Sequence, residues 1–326
     1  MLAVQDLTVS VITGYEPLKI TRNVSFDIAE GEILGVVGES GCGKSMTSLA
    51  IMGLLPSKQI KVQSGRVLLG GADVTHLTPD KRVDQGVSGV SMIFQEPMTS
   101  LNPVLRVGNQ IIEALLVHDK SSGRDPVART RELLDLVHIP DAGLQMNAYP
   151  HELSGGMRQR IMIAIALACN PKVLVADEPT TALDVTVQSQ ILSLIRELRD
   201  ELSMSVLFIT HDLGVVAQLA DRVCVMYAGQ IVETADVGTL FESPVHPYTH
   251  GLFSCLPDPN RRSERLNPIP GQAPLLADIS DGCAFAPRCS YVSDSCRSGD
   301  IDWTSFGPEH RARCHHPLSG GRKNER

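Results

Sequence analysis

Short apolar segments open the chain, separated by glycine, asparagine and charged residues. The runs "LAVQDLTVSVI", "VSFDI" and "EILGVVG" are rich in β-branched residues, so we predict that they form three strands. The next run, "KSMTSLAIMGLL", has apolar residues at helical spacing and stops at Pro56, which cannot continue a helix. The chain is therefore predicted to begin with strands and to enter its first helix after a glycine-rich segment.

Two continuous apolar runs, "VLVAD" and "SVLFIT", lie further along the chain and are typical of strands that are buried on both faces. Between them, "VTVQSQILSLIRELRDEL" has the apolar spacing of an amphipathic helix. A strand, a helix and a second strand in this order predict a parallel sheet with a crossover helix. The fold class is therefore predicted to be α/β.

The same patterning divides the chain into regions. From about residue 102 to residue 160 the segments "VGNQIIEALLVH" and "VARTRELLDLVHI" show the helical repeat, which predicts an inserted helical subdomain. After residue 242, prolines interrupt any long element: Pro244, Pro247, Pro257, Pro259, Pro268, Pro270 and Pro274. We predict one unit over residues 1–242 and a C-terminal appendage over residues 243–326.

Composition narrows the class of protein. The 326 residues carry a net charge of -8, which argues against a nucleic-acid binder because such proteins usually have a basic domain or stripe. The start, "MLAVQDLTVS", lacks the basic residues and apolar run of a secretion signal, so we expect the chain in the cytoplasm. The longest apolar run, "IMIAIALAC", is far shorter than the roughly 20 residues that span a bilayer.

The segment "GESGCGKS" fits the phosphate-loop pattern and lies between a predicted strand and a predicted helix. Backbone N–H groups and the helix N-terminus would surround the phosphates of a nucleotide. Lys44 would reach the outer phosphates, and the Ser45 hydroxyl would bind Mg²⁺. The predicted nucleotide-binding residues of this loop are Gly38, Ser40, Gly41, Gly43, Lys44 and Ser45.

Cys42 also lies in this loop, where a helix N-terminus and Lys44 would lower the pKa of its thiol. The loop pattern leaves this position open, so the cysteine is more simply a tolerated residue. The alternative is a reactive thiol whose modification blocks ATP binding.

A pair of acidic residues, Asp177 and Glu178, follows the apolar run "VLVA". A carboxylate at the end of a buried strand is costly unless it meets a cation, so we predict that Asp177 binds Mg²⁺. Glu178 is the natural general base for a water that attacks the γ-phosphate. Acidic pairs after strands are often solvated turns, but the phosphate loop favours the functional interpretation.

The segment "LSGGMRQR", shortly before the acidic pair, resembles the signature segment of ATP-binding-cassette (ABC) ATPases. Other motifs occur in the family's order, and the resemblance covers essentially the whole chain. It implies a P-loop NTPase cassette with a mixed sheet, an inserted helical subdomain and a small irregular appendage. Four further residues match the family's motifs: Gln95 of the glutamine loop, Asp184 of the dimer-contact loop, the switch histidine His211, and Tyr15. The resemblance implies that Gln95 also binds Mg²⁺ and that the Tyr15 ring stacks on the adenine of ATP.

In that family the signature segment of one subunit binds the γ-phosphate held by another. The resemblance therefore implies that Ser154, Gly155 and Gly156 act across a sandwich of two cassettes and two ATP molecules. Met157 and Thr181 replace the family's usual Gln and Ser. Because both changes keep the backbone donors, we expect activity to survive.

Two stretches, "EPMTSLNP" and "SPVHPYTHGLFSCLP", resemble the peptide and nickel importer ATPases of bacteria. This resemblance implies a peripheral subunit at the cytoplasmic face of the inner membrane. Its partners would be a second ABC ATPase subunit (a paralogue or a copy of itself), two permease subunits and an extracytoplasmic solute-binding protein. Di- and oligopeptides are the favoured solutes, with nickel, glutathione or another small solute as alternatives. A soluble, non-transport ABC ATPase is less favoured, because the chain has one cassette and no coiled coil.

Four cysteines cluster near the end of the chain: Cys283, Cys289, Cys296 and Cys314. Sulfur ligands select zinc or an iron–sulfur cluster, and structural zinc sites usually contain closer Cys-x₂₋₄-Cys pairs than these. The importer ATPases that the chain resembles carry a similar set, which in some members holds a [4Fe–4S] cluster. Zinc and free or disulfide-paired thiols remain the alternatives, and the site would serve as a structural staple or as a redox sensor.

Overall fold

The structure is a computed structural model that describes residues 1–12, 16–84, 87, 89–95, 100–118, 123–181, 183–255, 268–279 and 281–318. Within this part of the chain the larger of two sheets has eight strands, in the spatial order β12-β13-β11-β10-β4-β9-β8-β7. These strands are β4 (Ile33–Val37), β7 (Val90–Ile93), β8 (Val173–Asp177), β9 (Ser205–Thr210), β10 (Arg222–Tyr227), β11 (Gln230–Asp236), β12 (Thr304–Ser305) and β13 (Arg311–Ala312).

The centre of this sheet is parallel. Strand β4 pairs in parallel with β10 and β9, and β8 pairs in parallel with β9 and β7. Every residue of β4, β8 and β9 is buried, because helices cover one face of these strands while the first helix and a second sheet cover the other. Val36 of β4 and Asp177 of β8 are both register partners of Ile209. The carboxyl ends of β4 and β8 therefore meet at one edge, which brings the loop after β4 close to Asp177.

The second sheet is antiparallel, in the order β2-β1-β5-β6 with β3 also paired to β1. Its apolar face packs on β4 and the first helix, since Val4, Val67, Val36 and Ile51 belong to one buried cluster. The sheet therefore covers the helix that follows the glycine-rich loop. Its strands are β1 (Leu2–Val11), β2 (Leu18–Lys19), β3 (Val24–Ile28), β5 (Ile60–Leu69) and β6 (Ala72–Asp73).

The α-helices agree closely with the apolar periodicity of the sequence. The predicted helical runs that begin at Val107 and Val185 coincide with helices α3 and α7, whereas α1 ends before Gly53, ahead of Pro56. In the described residues, no helix has the length and apolar character needed to cross a membrane. The helices are α1 (Lys44–Met52), α2 (Pro79–Asp84), α3 (Val107–His118), α4 (Pro126–Leu136), α5 (Ala142–Gln145), α6 (Gly155–Leu167), α7 (Val185–Leu202), α8 (Leu213–Leu219), α9 (Val237–Glu242) and α10 (Pro247–Ser254).

Short strands and 3₁₀ turns make up much of the described C-terminal region. Strand β13 extends the main sheet by pairing with β11, and the Arg313 N–H donates to the Val232 carbonyl at 2.8 Å. The buried Glu233 of β11 accepts hydrogen bonds from the His310 ring at 2.8 Å and from the His246 backbone at 2.9 Å. This region is thus joined to the cassette through the sheet. Its 3₁₀ turns span Leu276–Asp278, Ala286–Arg288 and Asp294–Arg297.

Candidate active site

The glycine-rich loop predicted to bind phosphates connects β4 to α1. Gly38 lets the loop backbone pass close to the backbone of Met226, since a Cβ atom on residue 38 would lie 2.1 Å from the Met226 carbonyl oxygen. Gly43 caps α1 with a φ of 104°, which L side chains rarely adopt. Ser40 and Gly41 are exposed at the tip of the loop. The loop conformation therefore depends on glycines at the positions that the pattern specifies.

Lys44 is the first residue of α1 and is 5% exposed. Its ammonium group donates to the carbonyl oxygens of Gly38 at 2.8 Å and Glu39 at 3.1 Å, so it is held inside the loop. The N-terminus of α1 points its free N–H groups toward the same place. A cation and a helix N-terminus together favour an anionic phosphate chain.

Asp177 lies at the end of β8 and is 4% exposed. Its carboxylate accepts hydrogen bonds from the Ser45 hydroxyl at 3.2 Å and the Ser48 hydroxyl at 3.3 Å. Burial raises the pKa of this carboxyl, although the two serine hydrogen bonds oppose that shift. A buried carboxylate next to a hydroxyl supplies the hard oxygen ligands that Mg²⁺ prefers, so Asp177 and Ser45 fit the ion.

Glu178 follows with a φ of 48°, and its carboxylate contacts three other side chains. Its Oε2 atom accepts hydrogen bonds from the Gln95 amide and the Thr181 hydroxyl, both at 3.0 Å. Its Oε1 atom lies 3.2 Å from Nδ1 of His211. The structure therefore brings Gln95, Glu178 and His211 together, although they are far apart in the sequence.

The signature segment begins α6. Ser154 is its N-cap and accepts from the Met157 N–H at 3.3 Å, while Ser154 and Gly155 remain exposed. A Cβ atom on Gly156 would lie 2.8 Å from a methyl group of Val187, so this glycine lets α6 approach α7. Asp184 caps α7 by accepting from the Val187 N–H at 3.0 Å. Tyr15, predicted to stack on adenine, lies outside the described residues.

Comparison with known proteins identifies the family. A family model described as ABC transporter matches residues 21–181, and one described as the C-terminal region of oligopeptide/dipeptide transporters matches residues 232–296. The oligopeptide transport ATP-binding protein AppD of Bacillus subtilis is 49% identical over 314 residues, covering 96% of each chain. This chain belongs to the ABC transporter ATPases. The prediction of an ATP-binding ATPase that uses Mg²⁺ is thereby confirmed.

Other relatives and solved structures agree with this family. The dipeptide transport ATP-binding protein DppD of Escherichia coli is 44% identical over 318 residues, which cover 98% of the ATPase and 97% of that protein. A dimeric, post-hydrolysis structure of the ATP-binding cassette MJ0796 with ADP and Pi covers 73% of the ATPase and 99% of that chain. The match has a TM-score of 0.62 at 29% sequence identity, which confirms the predicted cassette fold.

The four clustered cysteines line one pocket of the ATPase. All four are free thiols. Burial raises the pKa of Cys283 and Cys289, and it raises the pKa of Cys314 to about 12. The sulfur atoms of Cys289 and Cys314 each accept a backbone N–H at 3.3 Å, from Tyr291 and His316.

Among the described residues, no three cysteine, histidine, aspartate or glutamate side chains are arranged to hold a single metal ion. A zinc site needs its sulfur ligands about 2.3 Å from one centre. In an iron–sulfur cluster each thiolate binds a different iron, and N–H donors to sulfur are part of such sites. Two such N–H···S contacts are present here, at Cys289 and Cys314.

Sequence patterns missed several contacts of this site. Ser48, which donates to Asp177, lies one helical turn after Ser45 and could have been found from that spacing. Arg288 reaches Glu39 of the phosphate loop across 249 residues of sequence, for which the sequence contains no signal. The alternative for Cys42, a thiol whose pKa is lowered, was wrong. The Cys42 thiol is buried, and burial raises its pKa more than nearby Lys44 lowers it.

Proposed function

We propose that this ABC transporter ATPase drives the uptake of di- and oligopeptides. The observation that carries the proposal is the match of residues 232–296 to the C-terminal region of oligopeptide/dipeptide transporters. Relatives named as oligopeptide and dipeptide transport ATP-binding proteins align over nearly their whole length. This matched region lies outside the nucleotide site and includes three of the four clustered cysteines, Cys283, Cys289 and Cys296.

Hydrolysis would use the residues gathered between β4 and β8. Glu178 accepts a proton from the attacking water, and Gln95 and His211 hold that carboxylate through the contacts at 3.0 and 3.2 Å. Lys44 and the loop amides bind the phosphates. Ser45, Asp177 and Gln95 would hold Mg²⁺, which would supply positive charge to neutralise the phosphates. Tyr15 remains the predicted contact for adenine.

A second cassette, either a copy of this chain or a paralogue, would complete each site. Ser154, Gly155 and Gly156 open α6, and a helix N-terminus is suited to an anion. The exposed Ser154 and Gly155 are accessible to the phosphates of a facing cassette. Asp184 lies at the start of α7, where it would contact that cassette as well as cap its own helix. The dimeric structure of the cassette MJ0796 supports this arrangement.

The division of the chain is proposed as its patterning predicts it. Residues 1–242 form the cassette, residues of about 102–160 form its helical subdomain, and residues 243–326 form the appendage with the four cysteines. The cassette would dock on two permease subunits at the cytoplasmic face of the inner membrane. An extracytoplasmic solute-binding protein would deliver the peptide.

The appendage would hold a [4Fe–4S] cluster on Cys283, Cys289, Cys296 and Cys314. Its support is that four thiols line one pocket and that two of their sulfur atoms accept backbone N–H groups. Protein purified without oxygen should contain about four irons and four acid-labile sulfides per chain, both lost in Cys289→Ser. One zinc without sulfide, or no metal at all, would contradict the cluster.

Co-purification tests the transport role. The tagged full chain is isolated from detergent-solubilised membranes, and the assembled complex is assayed for ATP hydrolysis with its binding protein and dipeptides, nickel or glutathione. We expect permease subunits in the complex and stimulation by peptides. Stimulation by nickel or glutathione instead would reassign the solute, and recovery without any membrane protein would contradict a transporter.

A further inference from the structure

Glu39, the second residue of the phosphate loop, is held by the C-terminal part of the chain. The Arg288 guanidinium donates to both of its carboxylate oxygens, at 2.7 and 3.0 Å. The backbone N–H of Glu39 donates to the Tyr248 hydroxyl at 3.0 Å. Its carbonyl oxygen accepts from Lys44, the residue predicted to bind the outer phosphates. The side chain and backbone of one loop residue are therefore fixed from outside the loop.

Arg288 is itself anchored in the C-terminal region. Its Nε atom donates to the Pro270 carbonyl at 2.9 Å, and one terminal nitrogen lies 3.3 Å from the Tyr227 hydroxyl. The guanidinium lies 5.8 Å from the centre of the Tyr227 ring and 5.9 Å from that of Phe285, which are cation–π distances. With 6% of the side chain exposed, Arg288 has little freedom to move away from Glu39.

A cluster of three aromatic rings supports both contacts. The centres of Tyr227 and Tyr248 are 4.5 Å apart, and Phe285 lies 5.3 Å from the first and 5.4 Å from the second. All three side chains are buried. They come from β10, from α10 and from the turn that precedes Arg288, so the cluster joins the appendage rigidly to the strand beside the phosphate loop.

The charge of Glu39 makes this pairing matter for nucleotide binding. A carboxylate in a phosphate loop repels the anionic phosphates of ATP, and the repulsion is strong in a partly buried site. A bidentate arginine neutralises that charge and also fixes its direction. Without Arg288, the Glu39 carboxylate would be free to turn toward Lys44 and compete with ATP for its ammonium group.

We propose that Arg288 is a positioning residue for ATP binding, which acts by pairing with Glu39 and so holds the phosphate loop open to the nucleotide. The C-terminal appendage is then part of the nucleotide site in function, although it contributes no group to ATP itself. The proposal depends on the ATPase activity alone and stands whichever solute is transported.

A double-mutant cycle on the full chain tests the pairing. The Kd of ATP is measured by titration calorimetry with Mg²⁺ for wild type, Arg288→Gln, Glu39→Gln and the double variant. Arg288→Gln should weaken ATP binding by about tenfold through the unpaired carboxylate. Glu39→Gln alone should change it by less than about threefold, and the double variant should return to within about threefold of wild type. In turnover assays the effect should fall on the KM for ATP rather than on kcat.

Arg297→Gln is a matched control, since Arg297 is exposed in the same appendage and its substitution changes the net charge equally. Fluorescence of Trp303, the only tryptophan, reports whether the appendage remains folded. If Arg288→Gln disturbs that signal, Arg288→Lys replaces it, because lysine keeps the charge but cannot bind both oxygens in the same plane. ATP affinity equal to wild type in the Arg288 variants, or no recovery when Glu39→Gln is added, would overturn the proposal.

Discussion

Replacing Glu178 by glutamine separates ATP binding from ATP hydrolysis. The amide has the size of the carboxylate and can keep its contacts. Its oxygen can accept from Gln95 and Thr181 in place of Oε2, and its nitrogen can hydrogen-bond to Nδ1 of His211 in place of Oε1. Because each partner keeps a hydrogen bond, we expect Glu178→Gln to change the free energy of unfolding by less than about 1 kcal/mol.

The chemical step should respond very differently. An amide cannot accept the proton of the attacking water, and general base catalysis is worth about 10²–10⁴-fold in rate. The expected fall in kcat therefore corresponds to about 2.7–5.4 kcal/mol in activation free energy. The affinity for ATP should change by less than about twofold, because the loop and Lys44 bind the phosphates without the Glu178 carboxylate.

Phosphate release measures kcat, and it is followed over a range of protein concentrations because hydrolysis is proposed to need two cassettes. Titration calorimetry measures the Kd of ATP. Glu197→Gln on α7 is the control, as it makes the same chemical change on an exposed side chain. A Glu178→Gln protein that hydrolyses ATP within about threefold of wild type would refute the assignment of Glu178 as the base.

Three further predictions concern the loop, a helix cap and pH. Gly38→Ala should abolish measurable ATP binding in calorimetry, because its Cβ atom would lie 2.1 Å from the Met226 carbonyl oxygen and force the loop to move. Asp184→Ala should lower the free energy of unfolding in urea by about 1 kcal/mol, whereas Asp184→Asn, which can still cap Val187, should cost less. Burial lowers the pKa of His246 from 6.5 to about 4, so the folded protein favours the neutral ring. The free energy of unfolding should therefore fall by up to about 3 kcal/mol as the pH falls from 6.5 toward 4. Urea titrations at several pH values measure this dependence, and it should be weaker in His246→Asn.

The nucleotide site was predictable because its parts are local patterns at the ends of strands. The phosphate loop follows β4 and the acidic pair begins at the last residue of β8, and a parallel sheet places the carboxyl ends of its strands at one edge. The bounds of α7 could be predicted because this long amphipathic helix repeats its apolar positions many times and is capped by Asp184. In these segments local propensity and tertiary packing favour the same structure.

The remaining contacts depend on distances that no local pattern contains. Arg288 pairs with Glu39 only because β10, α10 and a 3₁₀ turn bring three aromatic rings together. Strands β12 and β13 have two residues each, too few for an alternating pattern. The buried state of Cys42 was missed for a related reason, since sequence places it in a loop but does not show what covers that loop.

The pairing of β13 with β11 has a consequence for aggregation between chains. Strand β11 is nearly all buried, and without the appendage its outer edge would present unpaired N–H and C=O groups to other chains. The two-residue β13 and β12 occupy that edge but are too short to recruit a further strand. Arg311 and Arg313 stack on Trp303 at 4.9 and 4.8 Å, which adds positive charge at the same border. The last segment of the chain thus protects the sheet against edge-to-edge aggregation, and a cassette cut off at residue 242 would lose that protection.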